Sequence, residues 1–318
     1  MAIIWVLTMS VILPLVIVSA SRGKAVQNVI QPNTNETLPV LQDQAVMQIS
    51  VLSTEGTIEG IDLDQYLVCV LLEEMPASFE LEALKAQAVV ARTYTLRRIE
   101  NDGKHNGAIV CMDSSCCQGY CSIENYLKKG GAMDAVNKVR NAVESTRGLV
   151  VTYNGDLIDA TYFSCSGGRT EDAFAVWGAD IPYLKTTQSP GEEKALHYVD
   201  TVTFKAEEFL ERLGLEAPEN VEQWFTDVTY TAGGGVANIQ ILGSVFSGTE
   251  VRRLLSLKST AFRIAIIGDS VAVTTKGYGH RVGMSQYGAD AMAISGATFE
   301  QILTHYYADT QVTQYNSN

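Results

Sequence analysis

The stretch LLEEMPASFELEALKAQAVVARTYTL, from Leu71 to Leu96, decides the local fold. Its apolar start predicts the end of a helix that carries Glu73 and Glu74. Pro76 stops this helix, because the residue before a proline disfavours helical backbone. A second helix is predicted from about Leu81 to Ile99, since alanine, the best helix former, recurs at positions 83, 86, 88 and 91. The stretch therefore predicts two consecutive helices that are separated by a proline.

The elements on either side of this stretch do not alternate as regular βαβ units. The first helix should begin near Ile61, with Asp62 or Asp64 as its N-cap, and Asn154-Gly155 predicts a β-hairpin. The fold class is therefore predicted to be α+β, a mixed domain over residues 45–312. Its other predicted elements are a strand at Val46–Leu52, a helix at Ala206–Leu213, strands around Ala237–Leu242, Phe262–Ile267 and Val271–Thr275, and two terminal helices, the last with a capping box of Thr298 and Gln301.

The charge balance and the N-terminus indicate where the protein works. With 318 residues and a net charge of −13, the chain is a poor candidate for binding nucleic acid or anionic lipid, which attract cations. Ala2–Ala20 has no charged residue and matches the roughly 20 apolar residues that span a bilayer. Residues 1–22 are therefore predicted to be an N-terminal transmembrane helix or a cleaved signal segment, and polar residues 23–44 a linker. The remaining chain should then be extracytoplasmic at the cell membrane.

Charged residues in the opening stretch allow two interpretations. Lys85 and Arg92 are seven positions apart and share one helix face, so they can flank a cleft, or both can simply reach solvent. Glu74 follows an apolar run, so partial desolvation can raise its pKa towards that of a general acid. Two solvated glutamates at a helix end are the alternative.

A cluster of soft ligands lies in HNGAIVCMDSSCCQGYC. Six cysteines in an exported chain permit disulfides. Adjacent Cys116 and Cys117 are poor partners for each other, however, and four nitrogen and sulfur ligands can hold tetrahedral zinc. Both states remain open from the residues alone, and Cys69 and Cys165 are expected to be free and buried. The candidate ligands are His105, Cys111, Cys116, Cys117 and Cys121.

Four blocks of this sequence closely resemble the stage II sporulation protein D family. They are EEMPASFELEALKAQAVVARTY, VESTRGLVVTYNGDLIDA, TYFSCSGGRTEDAFAVWGADIPYL and GYGHRVGMSQYGADAMA, and they occur in the family's order between Val46 and Tyr307. The resemblance implies a membrane-anchored lytic transglycosylase that cleaves peptidoglycan during engulfment in endospore formation. It also implies two partners, a sporulation amidase (stage II sporulation protein P) and a polytopic membrane protein (stage II sporulation protein M).

The resemblance implies specific roles for residues of the four blocks. Glu74 is the catalytic acid of the E-M-P motif. The implied substrate is glycan without stem peptides. Charge complementarity predicts that Lys85 and Arg92 pair with its lactyl carboxylates, and a structural salt bridge across the core is the alternative. The glycine-rich GYGHRVG does not have the spacing of a dinucleotide loop. The remaining candidates for sugar contacts, each of which can instead belong to a turn or core, are Ser164, Ser166, His280, Gln286 and Tyr287.

The resemblance to clostridial members also implies a structural zinc ion. The matching ligands are His105, Cys111, Cys116 and Cys117, although Cys116 stands where the family has a histidine. Cys121 is therefore an alternative fourth ligand. Zinc is not required by the chemistry at Glu74. Two noncatalytic alternatives remain, an amidase enhancer, because the same domain occurs in such proteins, and a glycan-binding module.

Overall fold

A computed structural model describes residues 47–101, 103, 105–216 and 224–316, all within one compact unit, Val46–Asn318. The helices are α1 (Leu63–Glu74), α2 (Leu81–Glu100), α3 (Ile123–Lys128), α4 (Met133–Ser145), α5 (Ala173–Trp177), α6 (Ala206–Leu213), α7 (Gly248–Leu254), α8 (Gln286–Ile294) and α9 (Phe299–Tyr306). The strands are β1 (Gln48–Leu52), β2 (Ile58–Asp62), β3 (Val110–Cys111), β4 (Leu149–Tyr153), β5 (Asp156–Leu157), β6 (Tyr162–Phe163), β7 (Val199–Lys205), β8 (Phe225–Tyr230), β9 (Val236–Ile241), β10 (Ser244–Ser247), β11 (Phe262–Ile267), β12 (Ser270–Lys276), β13 (Met284–Ser285) and β14 (Gln311–Gln314).

Helix α2 lies at the centre of the larger hydrophobic core. It contacts α1, α4, α8, α9 and strand β4. Its alanines at positions 83, 86, 88 and 91 are fully buried, which allows the neighbouring helices to approach closely. Two three-stranded sheets border this core, in the orders β2-β1-β3 and β14-β4-β5. The core thus fixes the end of α1, where Glu73 and Glu74 lie.

A second hydrophobic core lies within Val199–Lys276. Two antiparallel sheets, β10-β9-β8 and β11-β12-β7, surround it together with α6 and α7. Its largest buried members are Phe204, Phe209, Phe246 and Phe262. The sequence predicted several of these strands singly but gave no sign that they form a core of their own.

The structure confirms the α+β class and several local predictions. Asp62 is the N-cap of α1 and accepts a hydrogen bond from the Gln65 N–H. The Asn154-Gly155 turn joins β4 to β5, and both residues have positive φ, as a two-residue hairpin turn requires. Thr298 and Gln301 form the predicted capping box of α9.

The predicted transmembrane or signal segment, residues 1–22, and the linker, residues 23–44, lie outside the described residues. Among the helices that are described, none is both long enough and apolar enough to cross a bilayer.

Candidate active site

Glu73 and Glu74 are the last residues of α1, and they lie beside a cleft of about 520 Å³. Met75 ends the helix in extended backbone conformation, and Pro76 follows it. The apolar body of α1 is buried, so the helix can present its polar end to the cleft without moving. The cleft is lined by Glu73, Glu74, Ser114, Cys117, Gly119, Tyr162, Phe163, Ser164, Tyr278, Gly279, His280 and Gln286.

The Glu74 carboxyl is half-buried and held by neighbours from distant parts of the chain. The backbone N–H of Gly119 donates a hydrogen bond to Oε1 at 2.6 Å, and the Tyr162 hydroxyl also bonds to the carboxyl. Burial raises the pKa of Glu74, although the bonds from Gly119 and Tyr162 and the nearby Gln286 amide oppose this shift by favouring the charged form. A carboxyl in this environment can hold a proton at higher pH than an exposed glutamate.

Glu73 has a different environment, although it is adjacent in sequence. Its side chain is 43% exposed and lies 3.7 Å from the Lys129 ammonium. Successive helical residues point about 100° apart, because a turn contains 3.6 residues. Only one of the two glutamates therefore combines burial with several hydrogen-bond donors.

The opposite wall of the cleft is formed by β6, the loop 277–285 and the start of α8. Parallel pairing of β13 with β6 places Met284 beside Tyr162 and thereby brings the start of α8 to the cleft. Gln286 is 6% exposed and lies close enough to Glu74 to favour its charged form. Its Nε2 is buried and makes no hydrogen bond of good geometry within the described chain. Ser164 also lines the wall, as predicted.

His280 belongs to the wall as a neutral ring. Val282 N–H donates to its Nδ1 at 3.1 Å, and the ring also bonds the backbone of Tyr162. Burial, with the nearby positive charge of Arg252, lowers the pKa of His280 to about 4. The ring packs between Phe163 and Trp177, with centroids 5.6 and 5.2 Å away. His280 therefore contributes a ring surface to the cleft, since its ring nitrogens already form hydrogen bonds with the backbone.

Lys85 and Arg92 do not flank the cleft, so the prediction that both bind glycan there is wrong. Arg92 is 1% exposed, and its guanidinium donates to the backbone carbonyls of Val143, Thr146 and Leu149. Lys85 forms an ion pair with Glu82 at 2.7 Å and lies over the Phe299 ring. Helical spacing indicated that the two cations share one face of α2, but it could not show which residues of other elements they contact.

The structure places neither Ser166 nor Tyr287 in the lining of the cleft, where sugar contacts were predicted. Ser166 is fully buried, and its hydroxyl donates to the Glu192 carboxylate at 2.7 Å. The Tyr287 ring packs edge-on against Phe79, with centroids 4.9 Å apart. Both residues support the wall from behind.

The candidate metal ligands come together as the sequence predicted. One ligand atom from each of His105, Cys111, Cys116 and Cys117 lies within 4.8 Å of all the others. Cys117 Sγ is 3.4 Å from His105 Nε2, and Cys116 Sγ is 3.7 Å from it. Tetrahedral zinc with bonds of about 2.0–2.3 Å separates its ligand atoms by roughly 3.5 Å, so these residues fit that ion.

The same geometry separates Cys121 from the four clustered residues. Cys121 is not part of the cluster, and its thiol instead lies near the carbonyl of Ser122. No disulfide joins any of the six cysteines, and Cys69 and Cys165 are buried, as predicted. The four-ligand set without Cys121 is therefore the one that the fold assembles.

The sequence did not reveal three groups that shape the cleft. Gly119 acts through its backbone N–H, which has no sequence signature. A Cβ at this position would lie 2.9 Å from Glu73 Cγ and 3.1 Å from Glu74 Oε1, so glycine is required for the approach. Tyr162 and Tyr278 lie within recognised blocks, but only their neighbours were selected as sugar contacts. The tyrosines of the TYF and GYG segments were the sequence signal that could have identified these two residues as cleft-lining.

Comparison with known proteins shows the family of this chain. A sequence profile for a family described as "Stage II sporulation protein" matches residues 52–153, the segment that carries Glu74, the ligand cluster and Gly119. Stage II sporulation protein D of Bacillus subtilis is 40% identical over 265 residues, which cover 81% of this chain and 76% of that protein. The chain belongs to the stage II sporulation protein D family. The homologue from Bacillus amyloliquefaciens is 37% identical over 285 residues, 88% of this chain and 82% of that protein.

A relative with a different name also matches most of the chain. An amidase enhancer of Bacillus subtilis is 30% identical over 305 residues, which cover 77% of this chain and 40% of that longer protein. The chain thus belongs to a sporulation protein family, and it is also similar to a protein that is named as an enhancer of an enzyme and not as an enzyme.

Proposed function

We propose that this member of the stage II sporulation protein D family is a lytic transglycosylase that cleaves peptide-free peptidoglycan strands. The observation that carries the proposal is the half-buried Glu74 carboxyl beside a cleft, with its pKa raised by burial. Most glycosidases need two carboxyl groups, one as acid and one as base or nucleophile. Here Glu73 is more exposed and faces Lys129, which supports a mechanism with a single working carboxyl.

One carboxyl can perform both proton transfers. Protonated Glu74 gives its proton to the glycosidic oxygen as the bond from that oxygen to C1 of N-acetylmuramic acid breaks. The resulting carboxylate then removes the proton from the 6-hydroxyl of the same sugar, whose oxygen attacks C1. The products are a 1,6-anhydro ring and a new chain end with a free hydroxyl. No water is consumed, and the intramolecular attack avoids the entropic cost of a separate nucleophile.

The groups around Glu74 suit this cycle. Between the two proton transfers the carboxyl is charged, and the Gly119 N–H and the Tyr162 hydroxyl stabilise that form. Tyr162 is in turn held by Gln118, whose Nε2 donates to its hydroxyl at 3.3 Å. The carboxyl is therefore held in one orientation while its protonation state changes.

We infer a structural role for zinc at His105, Cys111, Cys116 and Cys117. When bound, zinc would offset two of the three thiolate charges and cross-link the segment that precedes Gly119. Purified, reduced protein is expected to contain one zinc per chain by elemental analysis. A content well below one zinc per chain would refute the assignment. Cys116→Ser should lower this content, whereas Cys69→Ser should not.

The biological setting that we propose is engulfment during endospore formation. The chain would be anchored in the cell membrane by residues 1–22, with residues 45–312 outside the cytoplasm. It would act with a sporulation amidase (stage II sporulation protein P), which removes stem peptides, and with a polytopic membrane protein (stage II sporulation protein M). Membership of a sporulation family supports this setting.

The test is direct. The purified full-length chain is incubated with peptide-free glycan strands, and the products are examined by mass spectrometry for 1,6-anhydro-N-acetylmuramic acid ends. Glu74→Gln should abolish these products, and Glu73→Gln, which removes the neighbouring carboxyl, should retain most of the activity. Unaltered cleavage by the Glu74→Gln variant would overturn the proposal.

A noncatalytic amidase enhancer or glycan-binding module is the second candidate. The named amidase enhancer among the relatives favours it. An enhancer does not need a proton donor, so the Glu74→Gln variant would then stimulate a cell-wall amidase as well as the unaltered chain does. Stimulation by both, with no anhydro products from either, would establish this function in place of cleavage.

A further inference from the structure

Positive charge lies next to the cleft wall, at a place that the sequence did not indicate. The predicted cations, Lys85 and Arg92, are engaged elsewhere. Arg252 in α7 and Lys258, just after it, instead approach the glycine-rich wall at Tyr278 and His280. In a chain of net charge −13, such local cations are needed if an anionic ligand is to enter.

Lys258 is fixed beside the cleft through its backbone and its side chain. Its carbonyl accepts a hydrogen bond from Gly279 N–H at 3.0 Å, and its ammonium lies 4.6 Å from the centre of the Tyr278 ring. Tyr278 and Gly279 both line the cleft. A Cβ on Gly279, whose φ is +118°, would lie 2.6 Å from Phe163 Cβ, so this close approach requires glycine.

Arg252 stands near the same wall. Its Nε donates to the carbonyl of Leu257 at 3.3 Å, which directs the guanidinium along the segment that leads to Lys258. It lies close enough to His280 for its charge to oppose protonation of that ring. Within the described ranges, neither Arg252 nor Lys258 forms an ion pair with a carboxylate. Two half-buried cations thus remain available to an anionic ligand.

Exposed aromatic rings accompany these cations. Tyr278 is 38% exposed and Trp177 is 45% exposed, and Trp177 packs against His280. Aromatic rings provide rigid apolar surfaces on which the C–H face of a sugar can pack. Positive charge beside an aromatic surface suits a sugar that carries a carboxylate.

We propose that Lys258 and Arg252 bind a lactyl carboxylate of the glycan strand while Tyr278 packs against the adjoining sugar ring. This subsite rests on the proposed function, because it takes the glycan as its ligand. Stem peptides are attached through the same carboxyl group, as an amide, which is neutral and bulky. The two cations thereby distinguish strands whose peptides have been removed from strands that still carry them.

The test measures binding in the Glu74→Gln background, where strands are not consumed. Two ligands are compared: glycan strands with free lactyl carboxyls, and the same strands after chemical conversion of those carboxyls to primary amides. Lys258→Met should weaken binding of the free-carboxyl strands about fivefold to tenfold, the effect of one lost charge-assisted contact. Binding of the amidated strands should not change. Arg252→Met should lower the same preference, and Lys258→Arg should restore it.

Arg253→Met is the matched control, because it removes an exposed neighbouring cation from α7. Equal losses on both ligands, or no loss on either, would overturn the subsite, and so would equal binding of both ligands by the Glu74→Gln chain. Failure of the enzymatic proposal is detected separately, by the absence of anhydro products from the unaltered chain. A carboxylate preference without cleavage would leave the subsite in place and remove the enzyme.

Discussion

Replacement of Arg92 by methionine separates a stabilising role of this arginine from a substrate-binding role. Its guanidinium donates to Thr146 O at 2.7 Å, Val143 O at 3.1 Å and Leu149 O at 3.3 Å. Val143 and Thr146 lie at the C-terminal end of α4, where helical carbonyls have no partner within the helix. The cation also complements the helix dipole there. Arg92 thus ties α2 to α4 and to the start of β4.

The magnitude follows from these contacts. Methionine preserves most of the apolar stem but removes the charged donor from three carbonyls and from Asp64, in a site where Arg92 is 1% exposed. Thr146 O still accepts from Leu149 N–H, and Val143 O from the Thr146 hydroxyl. A buried polar group without a partner costs about 1–3 kcal/mol, and loss of one partner of a buried charged network costs about 3–5 kcal/mol. We therefore expect the free energy of unfolding to fall by about 3–5 kcal/mol, a large part of the ~5–15 kcal/mol typical of a domain.

Urea unfolding followed by circular dichroism, without glycan, measures this loss. Lys85→Met is the control, because the Lys85 ion pair with Glu82 is partly exposed and its removal should cost less than about 1 kcal/mol. Arg92→Lys should be intermediate, since lysine keeps the charge but lacks the planar fork. An Arg92→Met variant with unaltered stability and weakened glycan binding would refute the structural interpretation.

Three further predictions concern Glu74. Gly119→Ala should lower the cleavage rate between about tenfold and a hundredfold by displacing the carboxyl, with little change in stability. Gly60→Ala, where the nearest atom is 3.9 Å from the new Cβ, should leave the rate unchanged. Tyr162→Phe removes a hydrogen bond that lowers the pKa of Glu74. The pH at which activity is lost on the alkaline side of the pH–activity profile should therefore rise. An unchanged alkaline side of this profile would contradict the prediction. Glu74→Gln should raise the thermal midpoint at neutral pH, because burial raises the pKa of Glu74 and disfavours the folded state once the carboxyl is charged. This gain should disappear as the pH falls below both the folded and the unfolded pKa, and a gain that persists at acidic pH would contradict the argument.

Local signals predicted the elements that depend on neighbouring residues. Asp62 as an N-cap, Asn154-Gly155 as a hairpin turn and Thr298 with Gln301 as a capping box each specify backbone geometry within a few residues. The ligand cluster was also predictable, because its members lie within His105–Cys117 and one loop can bring them together. Such features do not depend on how distant segments pack.

Other features depend on packing and were missed or misplaced. Helix α4 was not predicted, although Val136, Val139 and Val143 recur at helical spacing and are fully buried. Arg92 was assigned to the cleft because its position on α2 does not show that the end of α4 covers it. Gly119 could not be selected, since its contribution is a backbone N–H whose direction the tertiary structure sets.

The environments of two carboxylates show how the fold separates a structural acid from a reactive one. Glu192 is 1% exposed and accepts hydrogen bonds from the hydroxyls of Ser166, Ser189 and Ser285, and from the N–H groups of Ser166 and Gly167. Both of its oxygens are thereby engaged, and the group joins the segments that form the wall of the cleft. Glu74 receives fewer donors than Glu192 and remains open to the cleft, so its proton can be exchanged with a ligand. The sequence shows a glutamate at each position, and the number and direction of surrounding donors determine which one can react.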